Sequence, residues 1–227
     1  RQQNRIDDRA GIGTAHRNYF YCLEVFMGAA ENLAVQSYCF RGCKENSTVI
    51  EKVRECGLSA IEVCGVHADF TDRGSFEELI RLYRDNNMDI VSIGVQKIKG
   101  ERKKERAYFE FCKQAGVEFM SVDFPMNAMP ECFRVAEELA EEYDIRLGIH
   151  NHGGSHWLGS AQALEYVFSR TGERIGLCLD TAWALDAGQD PVKMAEKFSG
   201  RLYGVHYKDF VFDRAGKPED VVVGSGN

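Results

Sequence analysis

The feature that most constrains the fold is a regular alternation of strand-like and helix-like segments. Apolar, strand-like runs begin at Asn32, Ala60, Asp89, Val117, Ile145, Ile175 and Leu202, so successive starts are about 28 residues apart. That spacing fits one strand, one helix and two short loops. The pattern predicts seven βα units and a parallel sheet, because parallel neighbours need a crossover connection between them.

Amphipathic segments fill the intervals between these runs, and their ends carry helix signals. Ser75 is followed three residues later by Glu78, which is the pattern of a capping box. Pro130 and Pro191 stand where a first helical turn would begin, and Gly116 stands where a helix would stop. These signals favour a helix in each interval.

Two α/β architectures contain a parallel sheet of this kind. A doubly wound open sheet often has a glycine-rich phosphate turn after its first strand, and QSYCFRGCKENS contains no GxGxxG. The even rhythm favours the (β/α)8 TIM barrel. The segment Asp220 to Val223 resembles the start of an eighth strand and the sequence stops at Asn227. We therefore expect a barrel truncated at its C-terminus, with about seven βα units present.

Residues 1–26 differ from the rest of the chain. They have neither the period of a strand nor that of a helix, and the first methionine is Met27. We predict that residues 1–26 are a non-native or disordered leader, that the natural start is Met27, and that residues 27–227 form the barrel.

Charge and hydropathy restrict the partners of this chain. The net charge is -7, with 28 basic and 35 acidic residues, which argues against the basic patch of a nucleic-acid-binding protein. No apolar run has the length of a membrane span, and no signal peptide is recognisable. A cytoplasmic protein is predicted, with no membrane or nucleic-acid partner. Unpaired strands at the two edges of an incomplete barrel would favour a homo-oligomer.

Polar side chains cluster at the C-terminal ends of the predicted strands, where TIM barrels place their active sites. His150, Asp180 and His206 end the fifth, sixth and seventh strands. Imidazole and carboxylate groups are ligands for divalent metals. Any one of the three residues alone is better explained as a hydrogen-bonded polar residue at a loop edge, but the three together are predicted to bind one divalent ion (Mn, Mg or Zn).

The remaining candidates fall into two groups. Predicted catalytic residues are His152 and Glu62 as acid or base groups and Lys208 as the partner of an oxyanion. Predicted substrate-binding residues are Tyr38, Gln96, His156 and Trp183. Asp209 is expected to orient His206 from behind. Salt bridges, loop packing and core packing are the structural alternatives for these positions.

Three motifs, LGIHNHGG, GLCLDTAWALDAGQDP and RLYGVHYKDF, resemble the sugar phosphate isomerase/epimerase family of xylose isomerase-like TIM barrels. The resemblance covers most of residues 32–227. It implies a (β/α)8 barrel, a bound manganese, magnesium or zinc ion, and proton transfer next to a carbonyl of a sugar or polyol. Asp180 and His206 match the family's aspartate and histidine ligands. His150 and Ser225 occupy positions where the family has glutamates.

The two missing glutamates bear on the reaction that the resemblance implies. Epimerisation by two bases needs both, so elimination, hydration or isomerisation with His152 or Glu62 as the base is favoured. The expected function is a metal-dependent isomerase, epimerase or related lyase or dehydratase acting on a small sugar, keto-sugar or polyol. The alternatives are a non-catalytic sugar-binding barrel and an abasic-site endonuclease-like metal enzyme, which would need more metal ligands and a DNA-binding face.

Overall fold

A parallel sheet of seven strands, hydrogen-bonded in the order of the chain, confirms the predicted architecture. The structure is a computed structural model and describes residues 33–227. The predictions for residues 1–26 and for a start at Met27 lie outside the described residues. The strands are β1 (Val35–Gln36), β2 (Ala60–Val63), β3 (Asp89–Lys97), β4 (Phe119–Asp123), β5 (Arg146–His150), β6 (Ile175–Asp180) and β7 (Leu202–His206).

Helices occupy the intervals between the strands from β1 to β7. They are α1 (Asn46–Glu55), α2 (Phe76–Asp85), α3 (Arg102–Ala115), α4 (Glu131–Tyr143), α5 (Ala161–Arg170), α6 (Thr181–Asp186) and α7 (Pro191–Lys197). Short 3-10 turns follow β1, β4 and β5 and precede β7. The observed repeat is thus strand then helix, as the 28-residue spacing predicts.

The helix ends agree with the sequence signals in part. Gly116 follows α3 with a φ of 73°, the left-handed conformation that a glycine adopts without a steric penalty. Ser160 caps α5 by accepting a hydrogen bond from the backbone of Ala163. The predicted capping box at Ser75 is not formed, because this residue is already in the helical region (φ -89°, ψ -12°) and its hydroxyl donates to the carbonyl of Asp72.

The central strands are buried along their length, and this burial explains why their sequences are continuous apolar runs. All six residues of β6 are buried, as are four of the five in β5. Strands covered on both faces need apolar side chains on both faces. The core includes Ile93, Met120 and Leu147 from the sheet and Phe109 from α3. Polar residues are therefore concentrated where the strands end.

The sheet is strongly curled, as one contact between distant strands shows. Glu62 on β2 and His206 on β7 lie five strands apart in the sheet, which would separate them by about 24 Å if the sheet were flat. Their side chains instead approach within 3.3 Å. The C-terminal ends of the strands therefore converge on one mouth, as in a TIM barrel.

The residues after β7 form a hairpin instead of the eighth strand that the sequence suggested. β8 (Asp209–Phe212) pairs antiparallel with β9 (Pro218–Val221). The carboxylate of Asp209 accepts hydrogen bonds from the backbone of Gly224 and Gly226. Asp209 thus holds the segment after the hairpin, and this contact differs from the expected contact with His206.

None of the helices in the part of the chain from residue 33 onward combines the length and the apolar character needed to cross a bilayer.

Candidate metal centre

Three side chains at the ends of neighbouring strands form a group, here called the strand-end triad: His150 and Asp180, which are buried, and His206, which is partly exposed. One ligand atom from each lies within 4.8 Å of the other two. Nε2 of His150 is 3.3 Å from Oδ2 of Asp180, and the ring centroids of the two histidines are 4.9 Å apart. The register aligns Asp180 directly with His206 across β6 and β7. The structure therefore brings together the three predicted metal ligands.

The orientation of Asp180 is fixed from two sides. Its backbone N–H donates to the side-chain oxygen of Asn151 at 2.8 Å, and its carbonyl accepts from the amide of Asn151 at 3.0 Å. Its Oδ1 caps α6 by accepting from the backbone of Trp183 at 2.9 Å. These contacts leave Oδ2 directed towards His150. A ligand whose backbone and second oxygen are already held loses little freedom on binding a cation.

The donor atoms of the triad fit a divalent cation. Among residues 33–227, Nε2 of His150 lies 3.3 Å from Oδ2 of Asp180 without a hydrogen bond, and the other ring nitrogen, Nδ1, is buried and also makes none. A buried imidazole with neither nitrogen hydrogen-bonded is uncommon, and coordination of a cation by one of them would account for it. Two imidazoles and one carboxylate form a ligand set of catalytic zinc sites, with room for a further oxygen ligand.

Glu62 lies against the triad and forms a charged pair with His206. Burial raises the pKa of Glu62, but the hydrogen bond and charge of His206, together with a hydrogen bond from Gln36, outweigh burial and hold that pKa at about 2. Burial lowers the pKa of His206, but contacts with Cys178 and Glu62 raise it to about 11. A cation that binds His206 must therefore displace a proton.

The carboxylate of Glu62 is held in a polar pocket of its own. Its Oε1 accepts from the amide of Gln36 at 2.6 Å and from the hydroxyl of Ser121 at 3.2 Å. Gly94 makes this approach possible, since a Cβ at that position would lie 1.7 Å from Oγ of Ser121 and 3.0 Å from Oε1 of Glu62. Three strands thus cooperate to place one carboxylate beside His206.

A second group of potential ligands lies next to the strand-end triad, and we call it the loop group: Asp123, His152 and His156. One ligand atom from each lies within 4.8 Å of the others. The ring of His152 is 4.6 Å from that of His150 and 4.9 Å from that of His156. Burial, and then the charges of His150 and His156, lower the pKa of His152 to about 4. His152 is therefore a neutral imidazole near pH 7, with a lone pair available.

Lys208 and Trp183 lie together beside these histidines. The ring of Trp183 is 6.2 Å from that of His152 and packs edge to face on Phe210. Nζ of Lys208 is 4.6 Å from the ring centroids of both aromatic residues and 2.9 Å from Oδ1 of Asp220. An aromatic wall with one ammonium group thus borders the mouth.

Two of the predicted substrate-binding residues, Gln96 and Tyr38, differ in their exposure to solvent. Gln96 is buried near the end of β3, and Tyr38 is 49% exposed in the turn after β1. The guanidinium of Arg41 stacks over the ring of Tyr38 at 4.8 Å. In the described part of the chain, no side-chain hydrogen bond joins Gln96 or Tyr38 to the strand-end triad.

Sequence reasoning gave no role to several residues that the structure places at the mouth. Asp123, Gln36 and Asn151 are three of these residues, and none was predicted to be catalytic, substrate-binding or metal-binding. The strand-end rule marks Asp123 as a candidate, but its proximity to His156 depends on the path of the loop after β5. The position of Ser121 beside Glu62 carried no signal in the sequence.

A curled sheet of seven parallel βα units, with histidines and carboxylates converging at the C-terminal strand ends, defines a TIM-barrel-type protein with a candidate metal centre. Residues 50–227 match the model of the xylose isomerase-like TIM barrel family. Because the match covers most of the chain, the protein belongs to that family.

Individual relatives resemble parts of the chain to different extents. Rhizopine catabolism protein MocC of Rhizobium meliloti is 33% identical over 75 residues, which cover 33% of this chain but only 22% of that protein. A sugar phosphate isomerase/epimerase from Parabacteroides distasonis superposes with a TM-score of 0.63 at 18% identity, covering 82% of this chain and 78% of its own. The IolI protein, with a bound zinc atom, gives a TM-score of 0.68 at 14% identity, covering 85% and 79%.

Proposed function

We propose that this protein is a metal-dependent isomerase or epimerase, or a related lyase, that acts in the cytoplasm on a small sugar, keto-sugar or polyol. The reaction is proton transfer at the carbon next to a carbonyl. The single observation that carries the proposal is the strand-end triad, whose ligand atoms all lie within 4.8 Å of one another at the C-terminal ends of three adjacent strands.

His150, Asp180 and His206 would hold the divalent ion (Mn, Mg or Zn). When bound, such an ion polarises a carbonyl oxygen and so acidifies the neighbouring C–H bond. Asn151 fixes the backbone of Asp180, and Glu62 fixes the ring of His206 through the 3.3 Å contact. Ligands held in this way keep their geometry when the substrate binds and leaves.

Two side chains at the mouth are candidates for the base that moves the proton. His152 is neutral near pH 7 and its Nδ1 is buried with no hydrogen bond to any residue from 33 onward. Glu62 is ionised, and its Oε2 faces the triad through His206. One base is enough for isomerisation, in which the same group removes a proton and returns it on one face. It is also enough for elimination, in which that group removes a proton from carbon and delivers it to the departing hydroxide, which leaves as water.

The aromatic wall is the proposed binding surface for the carbon skeleton. The apolar C–H face of a sugar packs well against an indole ring such as that of Trp183. Lys208 then offers an ammonium group to an anionic oxygen of the substrate, in competition with Asp220. His156, Gln96 and Tyr38 are proposed to contact the remaining hydroxyl groups.

Similarity to known proteins supports the same class of reaction. The Parabacteroides protein is a sugar phosphate isomerase/epimerase, and the IolI structure contains zinc. Both relatives share the fold of this chain at low identity, so they support the reaction class and leave the substrate open to experiment.

The test is exchange of a substrate hydrogen with solvent. The protein is incubated with Mn²⁺, Mg²⁺ or Zn²⁺ in D2O with a panel of keto-sugars and polyols, and deuterium incorporation is followed by NMR and mass spectrometry. We expect metal-dependent exchange that is lost in Asp180→Asn. A product that differs from the substrate in mass only by the incorporated deuterium identifies an isomerase or epimerase, and loss of water identifies a dehydratase.

The same experiment separates the alternatives. Sugar binding without exchange, with any of the three metals, would overturn the enzymatic proposal and favour a non-catalytic sugar-binding barrel. Separate assays of Glu62→Gln and His152→Gln assign the base, because only loss of the base abolishes exchange while metal binding persists.

A further inference from the structure

Two buried polar atoms of the loop group make no hydrogen bond to any residue that the structure describes. Asp123 is 5% exposed, and its Oδ1 makes no hydrogen bond within residues 33–227. The buried Nδ1 of His152 likewise makes no hydrogen bond to any described residue. Two unsatisfied buried atoms in one cluster are unusual, because each would lose its interaction with water without replacement.

An ion pair between Asp123 and His156 does not account for the arrangement. Nε2 of His156 is 3.4 Å from Oδ1 of Asp123, but the geometry is not that of a hydrogen bond. His152, whose ring is 4.9 Å from that of His156, would still be unsatisfied. Ligands of one cation, by contrast, approach each other at distances longer than a hydrogen bond, because each is directed at the ion between them.

The donor set of the loop group also has the right chemistry. Two imidazoles and one carboxylate make up the loop group, the same composition as in the strand-end triad. His156 is partly exposed, with 30% of its side-chain surface accessible, which leaves a route for an ion and its water ligands. This set suits Zn²⁺, Co²⁺ or Mn²⁺ better than Ca²⁺, which prefers oxygen ligands.

We propose that Asp123, His152 and His156 bind a second divalent transition-metal ion, next to the one at the strand-end triad. The second site stands on its own donor atoms and does not require the first to be filled. Two consequences rest on the proposed function. A cation on His152 occupies its lone pair, so proton transfer falls to Glu62, and His156 then binds the ion instead of a substrate hydroxyl.

The bond network around His156 provides a local reporter of binding. Nδ1 of His156 accepts a hydrogen bond of 3.3 Å from the backbone N–H of Leu158. If Nε2 binds a cation, the neutral ring carries its hydrogen on Nδ1, and the bond from Leu158 is lost. The amide resonance of Leu158 should therefore shift when the second site fills.

The experiment counts metal ions. The full chain and its variants are freed of metal, equilibrated with Co²⁺ or Zn²⁺, dialysed, and analysed for metal per chain. We expect about two equivalents in the wild type, one for each group. Asp123→Asn and His156→Gln should each retain about one, as should Asp180→Asn. Glu105→Gln, which alters a buried carboxylate outside both groups, is the matched control and should retain about two.

The outcomes separate the second site from the proposed function. One equivalent in the wild type that persists in Asp123→Asn and His156→Gln would overturn the second site and leave the triad intact. One equivalent lost in these variants but kept in Asp180→Asn would support the second site and overturn the triad. No bound metal would overturn both.

A folding defect is distinguished by two further measurements. Circular dichroism and thermal melting should show that His156→Gln folds, since this side chain is partly exposed. In Asp180→Asn, where only the loop group remains, Zn²⁺ should shift the Leu158 amide resonance. An unchanged resonance at saturating Zn²⁺ would overturn the second site.

Discussion

The side chain of Asn151 makes a reciprocal pair of hydrogen bonds with the backbone of Asp180, which lies 29 residues away on the next strand. Both residues are buried. The amide of Asn151 donates one N–H to the carbonyl of Asp180 and accepts from its backbone N–H, so it satisfies both backbone groups where β6 ends and α6 begins. Asn151 therefore stabilises the strand end that carries a proposed metal ligand.

Asn151→Ala should lower the free energy of unfolding by about 2 to 4 kcal/mol, because it leaves two buried backbone groups of Asp180 unsatisfied. Urea denaturation of the metal-free protein measures the loss. Asn127→Ala, at an exposed position, is the control and should change stability by less than about 0.5 kcal/mol. Equal effects of the two substitutions would refute the assigned role of Asn151.

Asp180→Asn should weaken binding of Zn²⁺ or Mn²⁺ by more than about 100-fold, since even residues behind the ligands contribute about 10- to 100-fold. The asparagine oxygen can still accept from the backbone of Trp183, so the cap on α6 is kept. Asp180→Ala should lose the metal and a further ~1 kcal/mol of stability. Isothermal titration and thermal melting separate the two effects. Unchanged affinity in Asp180→Asn would exclude the triad as a metal site.

Metal binding at the triad should release about one proton per ion near neutral pH. The pKa of His206 is raised from 6.5 to about 11, so this ring carries a proton that a cation must displace. Metal affinity should then rise by up to about tenfold per pH unit between pH 7 and 9. Calorimetric titration in buffers of different ionisation enthalpy counts the protons. In Glu62→Gln the release should fall, because His206 loses the partner that raises its pKa.

The pair of Glu62 and His206 should also make the stability of the metal-free protein depend on pH. The raised pKa of His206 contributes stability that is complete below pH 6.5 and is lost as the pH rises towards about 11. The lowered pKa of Glu62 contributes stability that is present above pH 4.5 and is lost as the pH falls towards about 2. Thermal melting between pH 3 and 10 should show a flatter profile for Glu62→Gln. An identical profile would contradict the charged pair.

Gly153→Ala should disturb the aromatic wall. A Cβ at this position would lie 2.2 Å from Oδ2 of Asp186 and 2.7 Å from the ring of Trp183, so these side chains must move. We expect a loss of about 1 to 3 kcal/mol in stability and weaker binding of the sugar substrate, measured by chemical denaturation and by KM. Gly65→Ala, where no atom of residues 33–227 lies within 4 Å of the new Cβ, should leave both unchanged. Equal KM values in the two variants would argue against Trp183 as a sugar-binding residue.

Much of the fold could be predicted from the sequence, because burial on both faces of a central strand produces an apolar run that is visible without coordinates. The seven strand-like segments all correspond to observed strands, although β1 is reduced to Val35–Gln36 before a 3-10 turn. The hairpin of β8 and β9 was missed, since its short segments have no strong alternation and depend on the contacts of Asp209 with Gly224 and Gly226.

The sequence by itself also determined the strand-end triad. The ends of parallel strands lie at one edge of the sheet, so His150, Asp180 and His206 could be placed there from local pattern alone. Only the tertiary structure decided which other side chains join them. The contact between Glu62 and His206 requires the curl of the whole sheet. The meeting of Asp123 with His156 requires the path of one loop. Local periodicity records whether a residue is buried, whereas distances between side chains on different elements depend on curvature and loop geometry, which no local pattern specifies.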